Sequence, residues 1–166
     1  MIISAWRIVP TEHQAVAFSG DGARLNPGRW NGAGVPVVYA AGSISLAMLE
    51  MLVHLREATT LPDYRLIEVQ FDESLLTAIN ADQLPRNWRR DPAPSILKQF
   101  GDDWVRERGS VILRVPSAIT GEPNYLINPA HPQFSELRIG RAQKVEFDSR
   151  LLPESLAPKS KRRRKR

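Results

Sequence analysis

Apolar and polar positions divide the 166-residue chain into short segments of changing period. Ile2 to Val9 (IISAWRIV) reads as a strand with one charge, Arg7, and Pro10 ends it. Residues 11 to 19 follow no firm period. The polar stretch from Gly20 to Gly34, rich in Gly and Arg, predicts a loop, and Val35 to Tyr39 a short strand. Ile44 to Leu55 predicts a helix that is apolar nearly all round. Only Ser45, Glu50 and His54 interrupt it, so little of it should face water, and Ser43 is placed to cap it.

After a turn at Thr59 to Asp63, Arg65 to Phe71 alternates as a half-buried strand does. Asp72 to Ile79 predicts a short helix, and Leu84 to Pro94 a charged loop. Ser95 to Arg108 has helical spacing at Ile96, Leu97, Phe100, Trp104 and Val105, weakened by Gly101. Val111 to Val115 is a strand that carries Ser117 just past its end. Glu122 to Pro132 reads as irregular, with NPAHP a rigid turn in which His131 packs. Leu137 to Ile139 and Ala142 to Phe147 complete the strands. Strands with two substantial helices predict an α+β domain over residues 1–150, followed by a disordered basic tail over 151–166.

Composition narrows the chemistry. A chain 42% hydrophobic and 25% charged is ordinary for a globular domain, and its length suits one core. It has no cysteine, which removes disulfides and thiolate catalysis, and three scattered histidines argue against a metal site. No apolar run approaches the roughly 20 residues of a membrane span, and MIISAWRIVP has no signal-peptide pattern, so the expected compartment is the cytoplasm. Seven basic residues among the last eight, KSKRRRKR, exceed the formal net charge of +5, leaving the body mildly acidic. Such a tail reads either as a solubilising end or as a polyanion contact through phosphates.

Glu50 is the candidate that matters most. A carboxylate on a buried helix costs several kcal/mol unless it is paired. It therefore finds a partner, or lies on an exposed stripe with Leu46, Val53 and His54. Arg24 and Arg29 just upstream supply forks for phosphate. The stretch GDGARL lacks the third glycine of a dinucleotide fingerprint, and no phosphate loop ends in GK[ST]. Ser117 is a functional group at a strand end or a plain turn residue, and nothing assembles a serine–histidine–acid triad around it. One carboxylate with arginines and an aromatic suits an anionic substrate containing a ring and a sugar. Glycosidases commonly use two carboxylates; a leaving group that departs without protonation, such as a pyridinium, lets one suffice.

The chain resembles the RES-domain proteins, toxins of bacterial RES–Xre toxin–antitoxin pairs. The matching pieces are Trp6-Arg7, Ser19 to Arg24 (SGDGAR), Gly28 to Asn31 (GRWN), and Val37 to Ala41 (VVYAA). Leu46 to His54 (LAMLEMLVH), Val115 to Ser117 (VPS) and Asn128 to Pro132 (NPAHP) continue the series. The resemblance runs from Ile3 to about Phe147, with Arg29, Glu50 and Ser117 at the positions that name the family. It implies a small split β-sheet core with surrounding helices, similar to ADP-ribosyltransferase toxins. It also implies a cytoplasmic enzyme that consumes NAD+ as substrate, by hydrolysis or phosphorolysis, with no metal and no resident cofactor. Mono-ADP-ribosylation of a protein is the alternative on the same residues. A nucleic-acid-binding module acting through the tail is the alternative of another class.

Carried over by position, Arg7 and Arg29 would bind the phosphates and ribose of NAD+, and Tyr39 would stack on the nicotinamide. Glu50 would stabilise positive charge developing at the anomeric carbon. Ser117 would hydrogen-bond the nicotinamide or ribose side, and Asn128 would assist substrate binding. The implied partner is an Xre-type helix-turn-helix antitoxin, with DNA contacted only through it. The resemblance also implies a homodimer.

Overall fold

The computed structural model describes residues 1–55 and 63–151. Among the described residues, eight strands form one mixed sheet. They are β1 (Ile2–Pro10), β2 (Val38–Ala41), β3 (Tyr64–Asp72), β4 (Leu76–Ala78), β5 (Ile112–Pro116), β6 (Pro123–Ile127), β7 (Arg138–Ile139) and β8 (Gln143–Val145). Their order is β4-β5-β6-β2-β1-β3-β7, with β8 also on β3. Only β4 and β5 run parallel. With helices α1 (Asp21–Leu25), α2 (Ile44–Leu55) and α3 (Ser95–Glu107), the protein is α+β.

The sheet is two ladders joined at a narrow seam. β1 pairs with β3 over its full nine residues, but with β2 only at Trp6–Ala41. β2, β6 and β5 form the other ladder, in which Asn124 lies beside Ala41 on one side and Val115 on the other. Apolar clusters bridge the two ladders. Ala5, Val69, Phe71, Ile112 and Ile127 share one cluster, where the Phe71 and Tyr125 rings meet edge to face at 5.3 Å. Trp30, Trp88, Leu97, Trp104 and Leu126 fill a second beneath α3. A third seats Leu46, Ala47 and Leu55 of α2 on Ile8, Ala41 and Leu66.

Several expectations change in the folded chain. The segment 122–127 is not irregular. Tyr125, Leu126 and Ile127 are buried between two strands, and Pro123 is tolerated because it opens the strand. The short helix expected from Asp72 to Ile79 is a 3-10 turn, capped by Asp72 Oδ1 accepting from Ser74 N, followed by β4. Pairing with β5 overrides local preference there. The loop from Gly20 to Gly34 contains α1, and β2 starts at Val38, so it takes in Ala40 and Ala41. Both alanines are buried in the sheet, which outweighs their weak strand propensity.

The helix α2 begins as read, with Ser43 Oγ accepting from Leu46 N at 3.1 Å. It is covered on one side only, so Ile44, Leu49 and Val53 stay exposed, against the expectation of near-complete burial. Gly101 does more than weaken α3. A Cβ there would lie 1.7 Å from the Trp30 carbonyl oxygen, so only glycine lets the helix meet the preceding loop. Ser149–Leu151 forms a 3-10 turn at the end of the domain expected over residues 1–150. The tail over 152–166 and the turn up to residue 62 lie outside the described residues. Among the described residues, no helix is long and apolar enough to cross a membrane.

Candidate active site

The seam in the sheet explains the place of Arg7. Beyond the Trp6–Ala41 pair the strands part, and Arg7 Nη1 donates to the Tyr39 carbonyl oxygen at 2.7 Å across the opening. Its Nε is shut off from solvent without a hydrogen-bond partner, while the side chain as a whole remains half-buried. None of the ion pairs among the described residues involves Arg7. Withdrawal from water lowers its pKa to about 10, the direction expected for a cation that no carboxylate compensates.

The loop that carries Arg29 is built around Asn31, which is fully buried. Asn31 Oδ1 accepts from Gly28 N at 2.9 Å and from the Tyr39 hydroxyl at 2.8 Å. Its Nδ2 donates to the carbonyls of Ala23, Gly32 and Val35. Asp102 of α3 holds Gly32 N at 2.8 Å from the other side. The Tyr39 hydroxyl also accepts from Trp30 N at 3.1 Å. A Cβ on Gly28 would lie 2.7 Å from that hydroxyl, which is why glycine opens the turn. Burial raises the Tyr39 pKa above the ordinary tyrosine value, so the phenol stays neutral at physiological pH. Both of its hydrogen-bonding roles are used internally, and what Tyr39 can offer a ligand is its ring.

Arg29 Nη1 donates to the carbonyls of Trp88 and Arg90 at 2.8 and 2.9 Å, tying this loop to the segment 84–94. Arg24 is exposed and pairs with Asp21 at 2.9 Å, so of the two upstream arginines only Arg29 ties its side chain to the segment 84–94.

Glu50 finds its partners across the fold. Ser117 Oγ donates to Glu50 Oε1 at 2.8 Å, and Asn124 Nδ2 donates to the same oxygen at 2.7 Å. Both donors are neutral, and Glu50 is in none of the ion pairs among the described residues. Charge-assisted bonds of this kind hold a carboxylate without neutralising it. Ser117 is a turn residue as well: its Oγ accepts from Ile119 N at 3.1 Å and Thr120 N at 3.4 Å. Asn124 Oδ1 is buried with no partner, an arrangement that costs about 1–3 kcal/mol.

Asn128 and His131 are not brought to Glu50. Asn128 lies four residues beyond Asn124, roughly 13 Å along β6, at the strand's other end. Its Oδ1 accepts from Ala130 N at 3.0 Å and its Nδ2 faces the Val105 carbonyl. His131 Nδ1 accepts from Gln133 N, and Nε2 lies 3.0 Å from the Arg108 carbonyl, the turn-packing role read from the sequence. A cleft of about 230 Å³ between Asn80, Arg114 and Gly121 has neither Arg7 nor Glu50 in its wall. Polar geometry, and not the shape of that cleft, picks out the site. Among the described residues no three His, Asp or Glu side chains could share a metal ion. Sequence reasoning missed Asn31, Asp102 and Asn124. The apolar run Tyr125 to Ile127 is the signal that would have revealed β6, and with it Asn124.

The split sheet and its helices align with a solved chain of the M. tuberculosis MbcT–MbcA toxin–antitoxin complex, with a TM-score of 0.73. That alignment covers 87% of this chain and 85% of the other at 18% identity, a likeness of fold. The sequence goes further: the RES domain profile matches residues 4–148, and this chain belongs to the RES domain family. A "Toxin Res" from Yersinia enterocolitica is 37% identical over 88% of this chain and 97% of its own length. A "Prs ADP-ribosylating toxin" from Sphingobium is 35% identical over 92% of this chain and 98% of its own.

Proposed function

We propose that this protein is the toxin of a toxin–antitoxin pair and depletes NAD+ by cleaving the nicotinamide–ribose bond. The observation that supports this most is the Glu50 carboxylate, held on one oxygen by Ser117 and Asn124 and in none of the ion pairs among the described residues. In this reading, nicotinamide leaves with the bonding electron pair as a neutral ring. The ribose carbon left behind takes on oxocarbenium character, and the Glu50 charge stabilises it. An acceptor then supplies an electron pair to that carbon and gives up its proton. Tyr39 presents its ring to the nicotinamide, Ser117 orients Glu50, and Arg7 with Arg29 holds the pyrophosphate and ribose.

The test is the intracellular NAD+ pool after induction of the wild type beside Glu50→Ala, with equal protein levels confirmed. Loss of NAD+ in the wild type alone supports the reading. A level pool in cells that still die overturns it. The relative named as an ADP-ribosylating toxin favours a second reading, transfer of ADP-ribose to a protein side chain. Product analysis separates the two: free ADP-ribose or its phosphate in one case, modified protein in the other.

The partner in this proposal is an Xre-type helix-turn-helix antitoxin that makes the DNA contact of the complex. Deleting Lys159 to Arg166 tests the competing nucleic-acid reading. A tail-driven binder loses its function, whereas the enzyme keeps NAD+ turnover.

A further inference from the structure

The geometry points to Asn124 as the positioning residue of the Glu50 carboxylate, an inference that rests on the NAD+-cleaving reading. Asn124 stands near the start of β6, between Ala41 of β2 and Val115 of β5, so backbone pairing on both sides fixes its Cα. From there its Nδ2 donates to Glu50 Oε1 at 2.7 Å, across 74 residues of chain. Ser117 Oγ takes the same oxygen at 2.8 Å. Two donors converging on Oε1 fix the rotation of the carboxylate and leave Oε2 to face a substrate.

The orientation of the amide follows from chemistry. Only its NH2 end can donate to a carboxylate; turned over, its carbonyl oxygen would meet Oε1 with like charge. Yet this orientation leaves Oδ1 buried and unbonded. The amide therefore satisfies Glu50 at its own expense. An amide placed only for stability would bond through both ends, as Asn31 does. Ser117 cannot replace it, because its single hydroxyl proton is already donated to the same oxygen.

The test is NAD+ turnover by purified wild type, Glu50→Ala, Asn124→Ala and Asn124→Asp over a range of pH, with melting temperatures alongside. Asn124→Ala should lower kcat by about ten- to a hundredfold, the worth of one hydrogen bond to a charged group, with KM little changed and folding intact. Asn124→Asp supplies the signature that a structural role would not produce. At about pH 5 and below, its introduced carboxyl still carries a proton in part and can donate to Glu50 as the amide does. As pH rises the pair loses its last proton, the two charges repel, and turnover falls along an alkaline limb absent from the wild type.

Wild-type kcat in Asn124→Ala, or equal loss at every pH in Asn124→Asp, overturns the inference. If the wild type cleaves no NAD+, the functional reading fails by itself. The side-chain amide resonance of Asn124 then decides the positioning role separately. A signal that moves on Glu50→Gln supports the bond, and one that stays put overturns it.

Discussion

Ser117 Oγ stands 2.8 Å from Glu50 Oε1, joining the end of β5 to the middle of α2 across 67 residues of sequence. The same oxygen caps its own turn by accepting from Ile119 and Thr120. One hydroxyl therefore shapes a loop and holds a carboxylate.

Ser117→Ala should separate those roles by size. Losing the turn contacts should cost about 1 kcal/mol of stability. Losing the bond to Glu50 should cost about ten- to a hundredfold in NAD+ turnover. Urea denaturation and steady-state kinetics on the same preparation check both.

Arg7 carries a charge that its surroundings disfavour. Burial lowers its pKa in the folded protein to about 10, below the ordinary arginine value. The charge therefore weakens the fold at every pH below about 10, and the penalty is relieved as pH rises from there toward the ordinary value. Arg7→Met removes that penalty together with the bond to the Tyr39 carbonyl, so the melting temperature should change little. Stabilisation by a nucleotide pyrophosphate should disappear. In the wild type, ligand at a hundred times its Kd would contribute about 2.7 kcal/mol. Thermal shift with and without ADP-ribose checks the contrast; an unchanged ligand shift in Arg7→Met sinks the assignment.

Asn31→Ala should be among the most damaging single changes. It strands Gly28 N, the Tyr39 hydroxyl and three carbonyls in a buried loop. A loss of about 2–4 kcal/mol follows, read as a fall in melting temperature, with the Tyr39 fluorescence environment changing at the same time.

Gly101→Ala sets helix propensity against packing. Alanine favours a helix interior by about 1 kcal/mol, but its Cβ would fall 1.7 Å from the Trp30 carbonyl oxygen. Packing should win, with net destabilisation above about 2 kcal/mol. Hydrogen exchange should show the loop at Trp30 and Gly32 opening first.

The elements whose pattern is local were legible. Arg65 to Phe71 alternates over most of its length and is a strand. Ile44 to Leu55 is the helix its apolar run predicts, down to the Ser43 cap. Glu50 stood out because a lone carboxylate in such a run needs a partner. Its partners were less legible. Ser117 was visible as a strand-end serine, but Asn124 lay in a segment whose Pro and Asn resemble a loop. Five residues are too few for a period to outweigh that composition.

The sequence by itself determined the family, the α+β class and the candidate carboxylate, because these rest on residue order and short-range periodicity. Tertiary structure decided where β6 and β4 lie, since β4 forms against β5 and β6 between β5 and β2. It also decided that Arg7 enters a gap between two ladders, and that Asn124 and Ser117 share one oxygen of Glu50. Those relations join residues 32, 67 and 74 positions apart. Contacts at such separations come from sheet pairing and burial, which no local window of sequence contains.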